Sequence, residues 1–255
     1  MRAPRLIELI GVPGSGKTTV TDLLCRELET VNLVPLTVPE AGRAMARRSW
    51  LGAFIPAESK PWGDRLAWKL FEFERLVRGL GFLLVRPGFA VRLIAFQLRR
   101  PRSARGGRRV VHWWIRAAGA RSLLLARCLG NEIVLLDEGL CHRVVQLFSS
   151  ADEVPDQEVI TRYVRDLPFP DVLIHVVAPV DVSYSRVMNR GVWERLEDED
   201  PARVRTFLSS AAVAISYLLD TEKARNSRVL DVDNSGQAPS GLDILGRLRS
   251  EGVLA

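Results

Sequence analysis

Over 255 residues the chain has only three cysteines, Cys25, Cys128 and Cys141, and they form neither a C-x-x-C pair nor a Cys/His spacing suited to a metal. A disulfide scaffold and a zinc module are therefore excluded, and the thiol usage is that of a reduced, cytoplasmic protein. The first apolar strand starts almost at once, with no secretory signal ahead of it, which is read in the same sense. Lysine is scarce: Lys17, Lys60, Lys69 and Lys223 are the four among 36 basic residues, a bias that by itself indicates no function. Long apolar runs are also missing. The most apolar stretch, residues 79–98, is interrupted by Arg86, Pro87 and Arg92, so it does not supply the roughly twenty apolar residues a membrane span needs. Acidic residues are absent from Arg75 to Asn131, where thirteen arginines lie. With a net charge of +6 for the whole chain, the remainder carries −7. Such an asymmetry points the segment at an anionic substrate, nucleic acid or lipid surface, or else marks a solvated basic helix face.

What is present is enough for a full core. At 47% hydrophobic content, the length fits one α/β domain, residues 1–255, with an insertion better than it fits two domains. Apolar strand patterns fall at residues 6–12, 33–38, 132–136, 172–178 and 229–232, the third and fourth reading as buried on both faces. Helical segments alternate with them, ending in one from near Ser240 to Gly252. Five strands so arranged predict a doubly wound parallel sheet. More than ninety residues separate strands two and three, and the spacing predicts helices over 62–79, 82–98 and 112–130. Residues 50–130 thus form an arginine-rich helical insertion. Its apolar residues, mixed with Arg and with Trp113 and Trp114, read either as an interfacial membrane segment or as packing for the subdomain. Phe82, Phe89 and Phe96 beside the two tryptophans are also compatible with base stacking.

The strongest signal is G-V-P-G-S-G-K-T at Gly11–Thr18, set between the strand Leu6–Ile10 and the helix that continues through Thr19. Gly11, Gly14 and Gly16, with Pro13 and Ser15 between them, let backbone N–H groups close around phosphate oxygens at the positive end of a helix. Lys17 is placed to reach the β- and γ-phosphates, and Thr18 to ligate Mg²⁺. Asp137 closes strand three, where a carboxylate can hold the water shell of that ion. Glu138 follows it as a base or loop partner, and Arg143 reaches substrate phosphate or caps local structure. Glu40 ends strand two at the rim where open α/β sheets bind ligands, and either accepts the proton of an attacking hydroxyl or pairs with Arg43, Arg47 or Arg48. After strand four, Asp181 can cap a helix carrying Arg186 and Arg190 on one face. With Arg195 they make residues 186–200 read as a lid that surrounds a transferring phosphoryl group.

This set resembles the P-loop kinases of small molecules, in particular the nucleoside monophosphate and thymidylate kinase-like group. The resemblance rests on G-V-P-G-S-G-K-T-T, Glu40 after strand two, Asp137 after strand three, R-V-M-N-R-G in the lid helix and L-D-V-D-N-S late in the chain. It implies strand order 2-3-1-4-5, ATP as donor with Mg²⁺, and transfer to a small, anionic acceptor held between core and insertion, with Gly236 near adenine. The chain departs from thymidylate kinases in having Asp137-Glu138-Gly139 where Asp-Arg is expected, and in the size of its insertion. The acceptor class therefore stays open among nucleosides, nucleotides, sugars, natural products and lipid-linked precursors, as does homodimer formation. Two other readings are an ATPase switch acting on a partner, with Glu138 activating water, and a nucleic-acid or membrane-surface module using the arginines. The guanine-reading N-K-x-D is absent.

Overall fold

The structure is a computed structural model and describes residues 6–38, 61–99, 104–128, 130–191, 200–236, 241–252 and 254. Glu40, Arg43 and Arg195 lie outside those residues. Five strands, β1 (Leu6–Ile10), β2 (Val34–Thr37), β3 (Glu132–Leu136), β4 (Val172–Val177) and β5 (Arg228–Asp233), form one sheet in the order β2-β3-β1-β4-β5. β1 runs parallel to β4 with Ile7 opposite Val172, and β4 runs parallel to β5 with Val172 opposite Arg228. The sheet is thus the expected parallel α/β type with strand order 2-3-1-4-5. Every residue of β1 and of β3 is buried, as strands covered on both faces must be.

The chain forms two compact units, one of Met1–Val34 with Asp137–Ala255 and one of Pro35–Leu136. In the first, α1 (Lys17–Thr30) turns Val20, Leu24 and Leu28 inward at helical spacing. α5 (Arg143–Phe148), α6 (Gln157–Asp166), α7 (Val180–Arg190), α8 (Pro201–Leu219), α9 (Glu222–Arg225) and α10 (Gly241–Ser250) complete this unit. α6 starts where the Asp156 side chain accepts the Val159 N–H at 3.1 Å. α8 starts where Asp200 accepts the Ala202 N–H at 2.9 Å, with Pro201 in its first turn; both are ordinary helix-start chemistry. α8 then buries Val204, Phe207, Leu208, Ala211, Ala214, Ile215 and Leu218 along one stripe. A buried Phe or Leu of this kind contributes about 1.5–3 kcal/mol.

In the second unit, α2 (Pro61–Val85), α3 (Pro87–Arg99) and α4 (Ala104–Arg127) depart from the expected helices. α2 does not stop at Gly79 but runs on to Val85, and α4 begins at Ala104, not His112. The reason is tertiary. Gly79 lies against the Ile115 carbonyl and Gly119 against the Arg75 carbonyl, so glycine at these places lets two helix backbones touch. The Arg75 Nε donates to the Arg116 carbonyl at 2.7 Å across the same contact. Trp114 is fully buried, its ring centroid 5.5 Å from Phe82 and 5.0 Å from Phe89. Of the two readings of these aromatics, packing of the subdomain is the one that holds for Trp114 and Phe89, which are core.

Candidate active site

The loop from Gly11 to Gly16 leaves β1 and enters α1 with Gly14 at φ +81° and Gly16 at φ +93°. The Ser15 N–H donates to the Val12 carbonyl at 3.1 Å and tightens the turn. Residues with a Cβ adopt this left-handed backbone at a cost of roughly 1–2 kcal/mol, and at Gly16 a Cβ would also overlap the Asn234 side-chain amide. That amide is the second half of the loop's geometry. Asn234 follows β5, its N–H donates to the Val177 carbonyl at 2.8 Å, and its Nδ2 donates to the Ser15 carbonyl at 2.7 Å. Arg186 on α7 donates through Nη2 to the Asn234 carbonyl at 3.0 Å, and through Nη1 to the Gly14 and Ser15 carbonyls at 3.4 Å. Because the peptide plane is trans, fastening the Ser15 C=O to Asn234 and Arg186 turns the Gly16 N–H to the opposite side. No side chain caps α1. The first N–H groups of a helix have no acceptor inside it, so the end of α1 is open to an anion.

Lys17 folds back over the loop, its Nζ donating to the Gly11 carbonyl at 3.0 Å and the Val12 carbonyl at 3.2 Å. Burial pulls its pKa down to about 8, opposed by the charges of Glu138 and Asp137 and reinforced by Arg190. Asp137 moves the other way. Burial, then the adjacent Glu138 charge, raise its pKa, while Lys17 and Arg143 oppose the rise. Each shift has desolvation as its main cause, and each places a group that an incoming cation or phosphate would return to its charged form.

Behind the two carboxylates lies a support that the sequence does not announce. Glu8, fully buried in the middle of β1, accepts the His142 N–H at 3.0 Å through Oε1 and so ties the turn after Glu138 to the central strand. Arg143, expected as a substrate contact or local cap, is buried, and its Nη2 donates to the Glu138 carbonyl at 2.8 Å. Its Nη1 lies 3.7 Å from the Glu138 carboxylate. His142 Nε2 is 4.0 Å from Glu138 Oε1, but burial, then Lys17 and Arg143, hold the His142 pKa well below its usual value. The imidazole is therefore neutral at pH 7, and this is no charge pair.

Pro13, Gly14, Gly16, Lys17, Thr18 and Thr19 share a cavity of about 500 Å³ with Asp137 and Glu138 from the segment after β3. Arg186 and Arg190 enter it from α7, one helical turn apart, with Gly191. The structure thus brings together the expected loop, both carboxylates and both arginines of the lid helix. One local expectation is corrected: Asp181 does not cap α7, whose N-cap is Pro179, and it pairs instead with Arg205 at 3.0 Å. Among the described residues no cluster of three or more His, Cys, Asp or Glu could enclose a metal. Mg²⁺ suits what is there, because it binds through one or two protein oxygens together with phosphate and water, and Thr18 and Asp137 offer a hydroxyl and a carboxylate in the same cavity. Sequence reading missed Asn234 and Glu8. Asn234 stood inside the late D-V-D-N-S motif and could have been weighed there, whereas a lone Glu within an apolar strand carries no signal of its partner.

No family model matches the chain, and no curated protein matches it in sequence. Among solved structures it is similar to a deoxyadenosine kinase from M. mycoides with bound dATP, at 14% identity and TM-score 0.41, covering 96% of this chain and 99% of that one. It is also similar to a thymidylate kinase from Candida albicans, at 15% identity and TM-score 0.48, covering 98% and 93%. A shikimate kinase from Acinetobacter baumannii in complex with shikimate gives 15% identity and TM-score 0.40, covering 99% and 96%. What the site does is read from its own residues.

Proposed function

We propose that the protein is a P-loop phosphotransferase that moves the γ-phosphoryl group of ATP to a small, anionic acceptor. The observation that carries this reading is the single cavity in which Lys17, Arg186 and Arg190 face Asp137 and Glu138 at the open end of α1. Three cations and a helix N-terminus suit a triphosphate, and two carboxylates supply a metal position and a proton acceptor.

In this mechanism the loop N–H groups hold the β-phosphate, and Lys17 exchanges its two carbonyl contacts for β- and γ-phosphate oxygens. Thr18 and Asp137 would hold Mg²⁺, which when bound would supply positive charge to the phosphates. Arg186 is already committed to the loop carbonyls and Asn234, so it acts by positioning; Arg190, exposed at the cavity, is the arginine that meets the moving phosphoryl group, with Arg195 completing the clamp. Glu40 or Glu138 orients or deprotonates the acceptor hydroxyl, and Arg43 binds the acceptor. Arg143 works through Glu138, which it holds by carbonyl and carboxylate. Hydrolysis of ATP without an acceptor is the second reading, favoured by a Glu138 carboxylate that lines the cavity beside Asp137 and remains about half exposed.

Wild type and Lys17→Ala incubated with Mg-ATP and a panel of nucleosides, nucleotides, sugars and small metabolites, followed by mass spectrometry, test the proposal. A phosphorylated acceptor that appears with wild type and is lost with Lys17→Ala is expected. ATP consumed with no such product selects the hydrolytic reading, and equal product from both proteins refutes the mechanism.

A further inference from the structure

Helix α2 has two apolar faces, and among the described residues one of them is exposed. Ala67, Phe71 and Gly79 are buried on the side where Gly79 meets Ile115 of α4. On the opposite side Leu66, Phe73, Val77, Leu80 and Leu84 follow one another at spacings of seven, four, three and four residues, which keeps all five on one line along the helix. All are exposed, Phe73 at 65% and Leu84 at 80%. The line is about 27 Å long at 1.5 Å per residue. Val91 and Ile94 of α3 are exposed as well. Among the described residues, ten of the fifteen large apolar side chains that face solvent lie on α2 and α3. Apolar surface concentrated in this way marks an association site.

The charge around the stripe identifies the occupant. Arg65, Lys69, Arg78, Arg86 and Arg92 are exposed on the same two helices, and Lys69 lies four residues before Phe73 on the stripe's own face. Among the described side chains of α2, Glu72 is paired by Arg75 at 2.9 Å and by Arg116, and Glu74 by Arg127 at 2.8 Å. No acidic residue follows until Glu132. A second copy of the chain would bring two such cationic faces together, whereas an anionic bilayer accepts both the apolar line and the cations. Among the described residues no helix is long and apolar enough to cross a membrane, so the contact is one that lies in the surface plane.

We propose that the outward face of α2, extended by α3, docks the protein on anionic lipid bilayers. The inference stands apart from the reaction at the phosphate loop. Flotation of the full chain with vesicles of phosphatidylcholine, and with vesicles in which part of that lipid is replaced by phosphatidylglycerol, tests it. Partition onto the anionic vesicles on the order of 100-fold stronger is expected from a few basic side chains near the surface, falling as salt rises. Phe73→Glu and Leu84→Glu should each reduce it by about tenfold or more with the unfolding midpoint retained, since neither side chain is buried. Lys69→Glu, which leaves the apolar line intact, should reduce only the anionic preference. Equal uptake by both vesicle types, or uptake unchanged in both glutamate variants, would overturn the proposal. So would a dimer, seen by sedimentation and abolished by the same variants without any vesicle uptake, which would assign the face to a second copy.

Discussion

In the unit built from residues 1–34 and 137–255, Lys17, Asp137, Glu138, Arg186 and Arg190 converge on one loop; in the unit of residues 35–136, α2 carries apolar side chains on both of its faces. The first arrangement concentrates charge where a phosphate can meet it, and chemistry is the function it supports. The second leaves apolar surface beside cations, and association with a lipid surface is the role proposed for it. Glycine serves both regions for different reasons. At Gly16 it supplies a left-handed backbone, φ +93°, next to the Asn234 amide. At Gly119 it supplies the missing Cβ that allows α4 to touch the Arg75 carbonyl of α2.

The largest effects should come from filling those two places. Gly16→Ala should weaken ATP binding on the order of 100-fold, from backbone strain and displacement of Asn234, with stability lowered by the roughly 1–2 kcal/mol of left-handed strain. Gly119→Ala should lower stability by about 1–3 kcal/mol as two helices are forced apart, with ATP affinity per folded molecule retained. Calorimetric titration and urea unfolding of both variants check the pair, and an equal loss of ATP affinity in both would erase the distinction between a conformational and a packing glycine.

A smaller effect is expected from pH. In the free protein burial sets the Lys17 pKa at about 8, so the ammonium loses its proton as pH rises through that value. A bound triphosphate favours the ammonium and raises the pKa, so ATP binding should take up a proton above pH 8 and weaken by up to about tenfold per pH unit there. Well below pH 8, where both states are protonated, proton exchange at Lys17 should vanish. Titrations in two buffers of different ionisation enthalpy measure it, and proton-neutral binding above pH 8 would show that Lys17 does not face the phosphates.

The loop was legible because its meaning lies in eight consecutive residues, and β1, β3, β4 and β5 were legible from apolar runs with clear ends. The helices of the second unit were less so. Gly79 reads locally as a break, and only the approach of Ile115 explains why α2 continues through it. The N-terminal part of α4, A-R-G-G-R-R, has two glycines that hid its start. The supports of the site were illegible for a reason of distance along the chain: Glu8 meets His142 across 134 positions, and Asn234 meets Ser15 across 219. Arg143 stayed open between a substrate contact and a local cap because sequence shows its charge and not its burial.

The measurement to make is a calorimetric titration of ATP into wild type and into Lys17→Ala at pH 7, with unfolding midpoints recorded for both. Saturable one-site binding by wild type, weakened on the order of 100-fold in a Lys17→Ala protein that is equally folded, is the expected result for a buried charge that grips phosphate. Equal affinity in the two proteins, or no saturable binding by wild type, would contradict the assignment of the loop as a triphosphate site.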